Sequence, residues 1–268
     1  MPDPAHRLDA GSAGQGGILS SLLVGTALPA AVLVAWEVAA RLGALNVYLL
    51  PAPTTVLHAG IELARSGELA RHVGASAQRV LIGFGLATVT AVPIAVVVHR
   101  YRLAERLLRF PLDFLRATPP LALLPLLVLW FGLGEAAKWA VILLASFFPI
   151  FLNTVAGLRS VRPELLEMAR TLDLTAFERA RFVIVPSALP VFVAGLRLAF
   201  GNCWRALVGA ELIATSVGLG YLIMDAQALA RVDVVYAAIL VTGTLGFLAD
   251  QALVFLTRGV GGDGFVQD

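Results

Sequence analysis

Trp139-Ala-Val-Ile-Leu-Leu-Ala-Ser-Phe-Phe-Pro-Ile-Phe-Leu-Asn-Thr-Val-Ala-Gly-Leu158 carries no charge from end to end and is held between Lys138 and Arg159. A helix crossing the hydrocarbon core of a bilayer needs about 20 mostly apolar residues, and this run has that length and character. Working outward, comparable runs lie at residues 18–40, 80–98 (between Arg79 and Arg100) and 117–134 (between Arg116 and Glu135). Two further runs are less pure: 190–216 carries Arg197, Arg205 and Glu211, and 234–257 carries Asp250. Six crossings are expected, in an all-α integral membrane fold. The runs are continuously apolar and lack the two-residue alternation of a barrel strand. Pro93, Pro125 and Pro149 do not argue against helices, because neighbours in a membrane bundle re-satisfy the freed carbonyls.

Composition agrees with the runs. Of the 268 residues, 59% are hydrophobic and only 14% charged, against about 25% charged in a soluble domain. Mean hydropathy is +0.85. Twenty basic against eighteen acidic residues leave +2, which supplies no basic stripe for nucleic acid. Cys203, the one cysteine, cannot close an intrachain disulfide and reads as packing. No two His or Cys have ligand spacing, so no metal site is expected.

Arginine placement orients the chain. The link after the second run holds Arg100, Arg102, Arg106, Arg109 and Arg116, and the link after the fourth holds Arg159, Arg162, Arg170, Arg179 and Arg181. Both fall on one side, which makes that side cytoplasmic and places both termini there; four arginines between 41 and 79 are a mixed-sign vote against. Residues 1–17, rich in Gly, Ala and Pro, read as a disordered cytoplasmic tail, residues 18–257 as the membrane domain, and 258–268 as a second cytoplasmic tail. A cleaved signal is not expected, since Arg7 lies far from a first run that is too long and lacks a small-x-small end.

The link between the fourth and fifth runs, residues 162–190, is the most informative. Pro163 suits a first helical turn, and Glu164 and Glu167 complement its positive end. Leu165, Leu166, Ala169 and Leu172 recur at helical spacing. Thr175 with Glu178 is a capping box that starts a second helix. A hairpin outside the membrane with an apolar edge results; it either seeks a partner's groove or rests as an amphipathic linker on lipid headgroups.

Glu167-Met-Ala169, Asp173 and the closing Val183-Ile-Val-Pro186 resemble the Glu-Ala-Ala loop of binding-protein-dependent ABC importer permeases. Leu50-Pro-Ala-Pro53, Gly67-Glu-Leu with His72, and Arg79-Val-Leu-Ile-Gly-Phe84 resemble that family's approach to its second span. Pro119-Pro-Leu-Ala-Leu-Leu-Pro125, Trp130-Phe-Gly-Leu-Gly-Glu135, Phe148-Pro-Ile-Phe-Leu-Asn153, Gly195-Leu-Arg-Leu-Ala199, Gly218-Leu-Gly-Tyr221 and Asp233-Val follow in register. The set is similar to the sulfonate, nitrate and taurine branch over about residues 30–255. This resemblance implies a non-catalytic permease subunit of the bacterial inner membrane. It also implies a homodimer with two cytoplasmic ATPases and a periplasmic or lipid-anchored binding protein. The loop's first helix would be the coupling helix, with Glu164, Leu165, Glu167, Met168, Ala169, Arg170, Leu172 and Asp173 as its ATPase-facing set. Ala169 would let the partner approach closely, and Glu167 would offer a charge-assisted hydrogen bond. The family's glycine is Asp173 here, a residue that tolerates positive φ better than most.

A phosphate-cradling loop needs Gly-x-x-x-x-Gly-Lys-Ser/Thr, and Lys138, the one lysine, lies between Ala137 and Trp139. The chain therefore binds no ATP itself, and a partner must hydrolyse it. Charges inside a bilayer mark pathways or partners. Arg205 and Asn202, three apart, share a helical face; Arg205 and Glu211 lie about 240° apart and cannot pair with one another. Asn202, Arg205 and Glu211 are the candidate pathway residues for a small anion such as an aliphatic sulfonate, taurine or nitrate. The alternative for Arg205 is an ion pair on another helix or a packing role. Arg197 is expected to snorkel, and Glu37 and Asp250 to be interfacial or paired. An ion-coupled secondary transporter is the second functional class, thinly supported by Glu211 and Asp250. An intramembrane hydrolase lacks a Ser–His pair at depth, since His6, His58, His72 and His99 all fall in tails, links or span ends.

Overall fold

Long uncharged runs satisfy their backbone internally as helices, and the computed structural model, which describes residues 14–258, is helical over most of each run. Its elements are α1 Gly14–Arg41, α2 Pro53–Arg65, α3 Glu68–Arg100, α4 Arg102–Ala117, α5 Leu124–Phe131 and α6 Glu135–Arg159. They continue as α7 Pro163–Thr171, α8 Ala176–Arg179, α9 Val185–Ile213, α10 Leu219–Ala228 and α11 Val232–Thr257. Residues 1–13 and 259–268 of the expected tails lie outside the described residues, while Gly14 to Gly17 belong to α1.

Among the described residues, four helical stretches are long and apolar enough to cross a membrane: α3, α6, α11 and the continuous stretch Ala176–Ile213. The expected third span, 117–134, is not one helix. Pro119 and Pro120 interrupt it, a 3-10 turn occupies Pro120–Leu123, and only α5 is α-helical. Eight residues rise about 12 Å, far short of a hydrocarbon core of about 30 Å. The run belongs instead to a broken pair, α4 and the Pro120–Phe131 segment, bent by 92°. Proline removes a ladder donor and clashes with the preceding turn, which is why an apolar run of adequate length fails to stay straight.

The core is built where α6 packs between α3 and α9. Ala87, Ala91 and Ala95 of α3 are fully buried and meet Phe147, Ile150 and Phe151 of α6 and Ala199 of α9. Small residues let the backbones approach, since association inside lipid rests on van der Waals packing. At Gly157 of α6 a Cβ would stand 2.7 Å from the Ala188 carbonyl, so only glycine permits that contact with α9. Arg197, expected to snorkel, instead donates from Nε to Thr257 Oγ1 at 3.0 Å and pins α9 to α11. Glu37 is paired: its carboxylate accepts from Arg41 and from the Thr54 backbone and hydroxyl.

Both Arg-rich links sit at one end of the bundle. Arg159, closing α6, bonds Glu105 of α4 at 2.8 Å, and α7 follows at once. The opposite end gathers the first half of α3, the start of α6, the end of α9 and α10.

Candidate functional site

Three arrangements carry chemistry, and the first is the α7 hairpin. Pro163 occupies the first turn of α7 and Glu164 lies within it, as the sequence predicts. The helix ends in a Schellman turn: the Asp173 N–H donates to the Arg170 carbonyl at 3.0 Å and the Leu174 N–H to the Ala169 carbonyl at 3.1 Å. Asp173 takes φ 52°, the left-handed conformation in which glycine is the usual occupant. Thr175 and Glu178 close the capping box, with Thr175 N–H to Glu178 Oε2 at 2.8 Å and Glu178 N–H to Thr175 Oγ1 at 3.3 Å. The helix so started is not a separate second arm. It passes through a π-helical turn, Ala180–Ile184, and runs on as α9 into the membrane domain. The hairpin is thus rooted directly in a long helix.

Ala169 corrects the expectation of a partner-facing alanine. It is fully buried, closed against Val161 and Val183 with Leu165, Leu166, Leu174 and Ile184 around it. Its small size lets α7 sit close on the π-helical turn of its own chain. Leu165 belongs half to this miniature core. Glu164, Glu167, Met168, Arg170, Leu172 and Asp173 remain exposed, with Met168 at 52% and Leu172 at 62%. The apolar edge of the hairpin is therefore Met168 and Leu172, flanked by charges of both signs.

The second arrangement is a groove of about 520 Å³ between the α4–α5 bend, α6 and α9. Arg116, Pro119, Phe148, Leu152, Asn202 and Arg205 line it. Arg205 Nη2 donates to Asn202 Oδ1 at 2.6 Å, so the two residues share a face as their spacing predicts. The Arg205 side chain is exposed to the groove, which offers a guanidinium against apolar walls.

Glu211 does not belong there. It is 1% exposed and faces the other way, in a buried ionic cluster that sequence reading missed. Arg79 of α3 is its partner: Nη1 lies 2.6 Å from Glu211 Oε1 and also donates to the Val217 carbonyl at 2.6 Å. Nε and Nη2 grip Glu135 at 2.7 and 2.9 Å, and Nη2 also reaches Thr215 Oγ1 at 3.2 Å. Every N–H of the guanidinium is used. Lys138 Nζ completes the cluster, 2.7 Å from Glu135 Oε1. Two cations and two carboxylates balance, which lets Arg79, Lys138 and Glu211 stay buried while Glu135 remains partly exposed. A carboxylate at residue 211 inside an apolar run was the available signal, since such a group demands a partner.

The same cluster caps α10 from outside its own segment. A helix leaves its first N–H groups without intrahelical acceptors. Gly218 N–H donates to His72 Nδ1 at 3.0 Å, Leu219 N–H to Ser76 Oγ at 2.9 Å, and Gly220 N–H to Glu211 Oε2 at 2.9 Å. Ser76 in turn donates to Glu211 at 2.8 Å. Because His72 accepts at Nδ1, the neutral ring holds its proton on Nε2, 3.8 Å from Glu68 Oε1. The His72 ring stacks on Tyr221, whose hydroxyl donates to Asp225 at 3.0 Å; that carboxylate pushes the phenol pKa up.

Comparison with known proteins agrees with this architecture. Residues 83–262 match the family described as "Binding-protein-dependent transport system inner membrane component". The chain is 39% identical to the "Putative aliphatic sulfonates transport permease protein SsuC" of Escherichia coli strain K12, over 86% of this chain and 88% of the relative. It is 38% identical to the protein of the same name in Bacillus subtilis strain 168, over 87% and 85%. The "Taurine transport system permease protein TauC" of Escherichia coli strain K12 is 34% identical over 89% and 88%. Such a subunit is not an enzyme; it works with a separate ATPase and a solute-binding protein, which sets aside the ion-coupled alternative. The chain belongs to the binding-protein-dependent transport system inner membrane component family, as a multi-pass permease subunit of an ABC importer.

Proposed function

We propose that two copies of this chain form the membrane pathway for a small organic anion of the sulfonate type, and that the α7 hairpin of each copy seats in a groove of one ATPase subunit. One observation carries the coupling role: Met168 and Leu172 stay exposed while the opposite face of α7 is closed on Ala169, Val161 and Val183. A linker resting on lipid would need no such internal core. Rooting through the π-helical turn into α9 gives the hairpin a stiff connection to the bundle, so a push at α7 becomes a displacement of α9. Glu164, Glu167, Arg170 and Asp173 surround the apolar tip and supply charge-assisted contacts. The hairpin end, rich in arginine, is the cytoplasmic end, with both termini on that side and six passages counting α1 and the broken α4–α5 pair.

Asn202 and Arg205 line the pathway in the groove beside α6. Its guanidinium suits an anionic head and its Phe148 and Leu152 wall an apolar tail. The sulfonate and taurine relatives support this substrate class.

Uptake of ethanesulfonate into proteoliposomes holding the permease, its ATPase and its binding protein tests the proposal. Uptake should require ATP and the binding protein and should survive collapse of the proton gradient. Uptake abolished by that collapse with ATP present would refute it.

A further inference from the structure

We propose that the capping of α10 by His72, Ser76 and Glu211 is a transmission joint, by which a binding protein docked on the extracytoplasmic end moves α3, α6 and α9 as one body. The inference rests on the orientation given above, which puts α10 at the end facing that partner.

Geometry carries it. α10 lies at the far end of α9 from the α7 hairpin, and 29 residues of α9 separate them, about 43 Å along the helix. A signal passing from one surface to the other must therefore enter α9 or its neighbours near residue 213. At that place three consecutive backbone donors of α10 are each held by a different buried side chain, two from α3 and one from α9. Gly218, at φ 138°, has no room for a side chain, because a Cβ there would stand 2.5 Å from the Glu211 carboxyl and 2.6 Å from Arg79. At Gly220 a Cβ would stand 2.6 Å from Glu211 Cβ. The cluster continues without a gap through Arg79 to Glu135 and Lys138 at the first turn of α6. A displaced α10 cannot slide over this packing; it carries the bundle with it.

The outer face of α10 is formed for contact. Met224 of α10 is 42% exposed, while Leu222 and Ala226 are buried against α2 and α11. The helix therefore presents Met224 outward on a base that is tied to the core.

The test uses the reconstituted complex of permease, ATPase and binding protein, with ethanesulfonate as solute. His72→Ala combined with Ser76→Ala removes two of the three acceptors and leaves every formal charge of the ion pairs in place. ATP hydrolysis is measured with and without the loaded binding protein, and amide exchange is followed across residues 218–228. Basal hydrolysis should stay within twofold of wild type, stimulation by the binding protein should fall at least fivefold, and exchange should rise. Stimulation within twofold of wild type would overturn the joint, as would basal and stimulated rates falling in parallel. Ser76→Ala alone, the milder change, should lower stimulation by a smaller factor in the same direction; an unchanged stimulation there with raised exchange would also count against it. Failure of the wild-type complex to respond to its binding protein would refute the functional proposal, not the joint.

Discussion

Arg79 Nη1 and Glu211 Oε1 lie 2.6 Å apart although 132 positions separate them in the chain, and both side chains are almost wholly out of solvent. The pair fixes α3 to α9 and, through Glu135, to α6. Removing one partner strands a buried charge. Arg79→Met is expected to lower stability by about 3–5 kcal/mol, read as a fall in the thermal midpoint of the purified permease. Adding Glu211→Leu should recover part of that loss, because an apolar pair leaves no uncompensated charge there. A double variant less stable than the single one would contradict this reading.

Gly218 and Gly74 form a contrasting pair. A Cβ at Gly218 collides with Glu211 and Arg79, whereas a Cβ at Gly74 of α3 meets nothing within 4 Å. Gly218→Ala should sharply reduce the yield of folded permease. Gly74→Ala should be neutral or stabilising by about 0.5–1 kcal/mol, the helix-propensity difference. Thermal denaturation of the two variants side by side checks the contrast.

How far these features could be read beforehand depends on their range along the chain. The helices α3, α6, α9 and α11 were legible because an uncharged run of sufficient length has one cheap solution in lipid. The third run misled because apolar length says nothing about straightness, and Pro119, Pro120 and Pro125 decide that locally. The Schellman turn at Asp173 and the capping box at Thr175 were readable, being local grammar. The side on which Ala169 would lie was not, since helical spacing gives a face but not what covers it. The cluster of His72, Ser76, Arg79, Glu135 and Glu211 is set by tertiary packing of four elements, and only the unexplained charge at residue 211 hinted at it.

Asp173 holds a left-handed backbone, where a Cβ costs about 1 kcal/mol relative to glycine. Asp173→Gly should stabilise the hairpin by about that amount and leave ATP-driven uptake intact. Asp173→Val should destabilise it and weaken coupling, because a β-branched residue is a genuine outlier at positive φ. The comparison is made by thermal midpoint and by uptake rate per ATP hydrolysed.

Arg205 faces the groove and bonds Asn202 within its own helix, so its replacement should spare the fold. Arg205→Gln is expected to slow ethanesulfonate uptake about tenfold, a loss of about 1.4 kcal/mol, with an unchanged thermal midpoint. Uptake kinetics identical to wild type would remove Arg205 from the pathway.

The docking of the α7 hairpin on the ATPase is tested most directly by cross-linking. Cys203 is fully buried, so Met168→Cys would place a single accessible thiol on the exposed edge of α7. With the ATPase present, a short bifunctional thiol reagent should join residue 168 to that subunit in high yield, and ATP should change the yield. Modification of the residue 168 thiol by a lipid-borne reagent, with no ATPase adduct in the assembled complex, is the result that would contradict the docking.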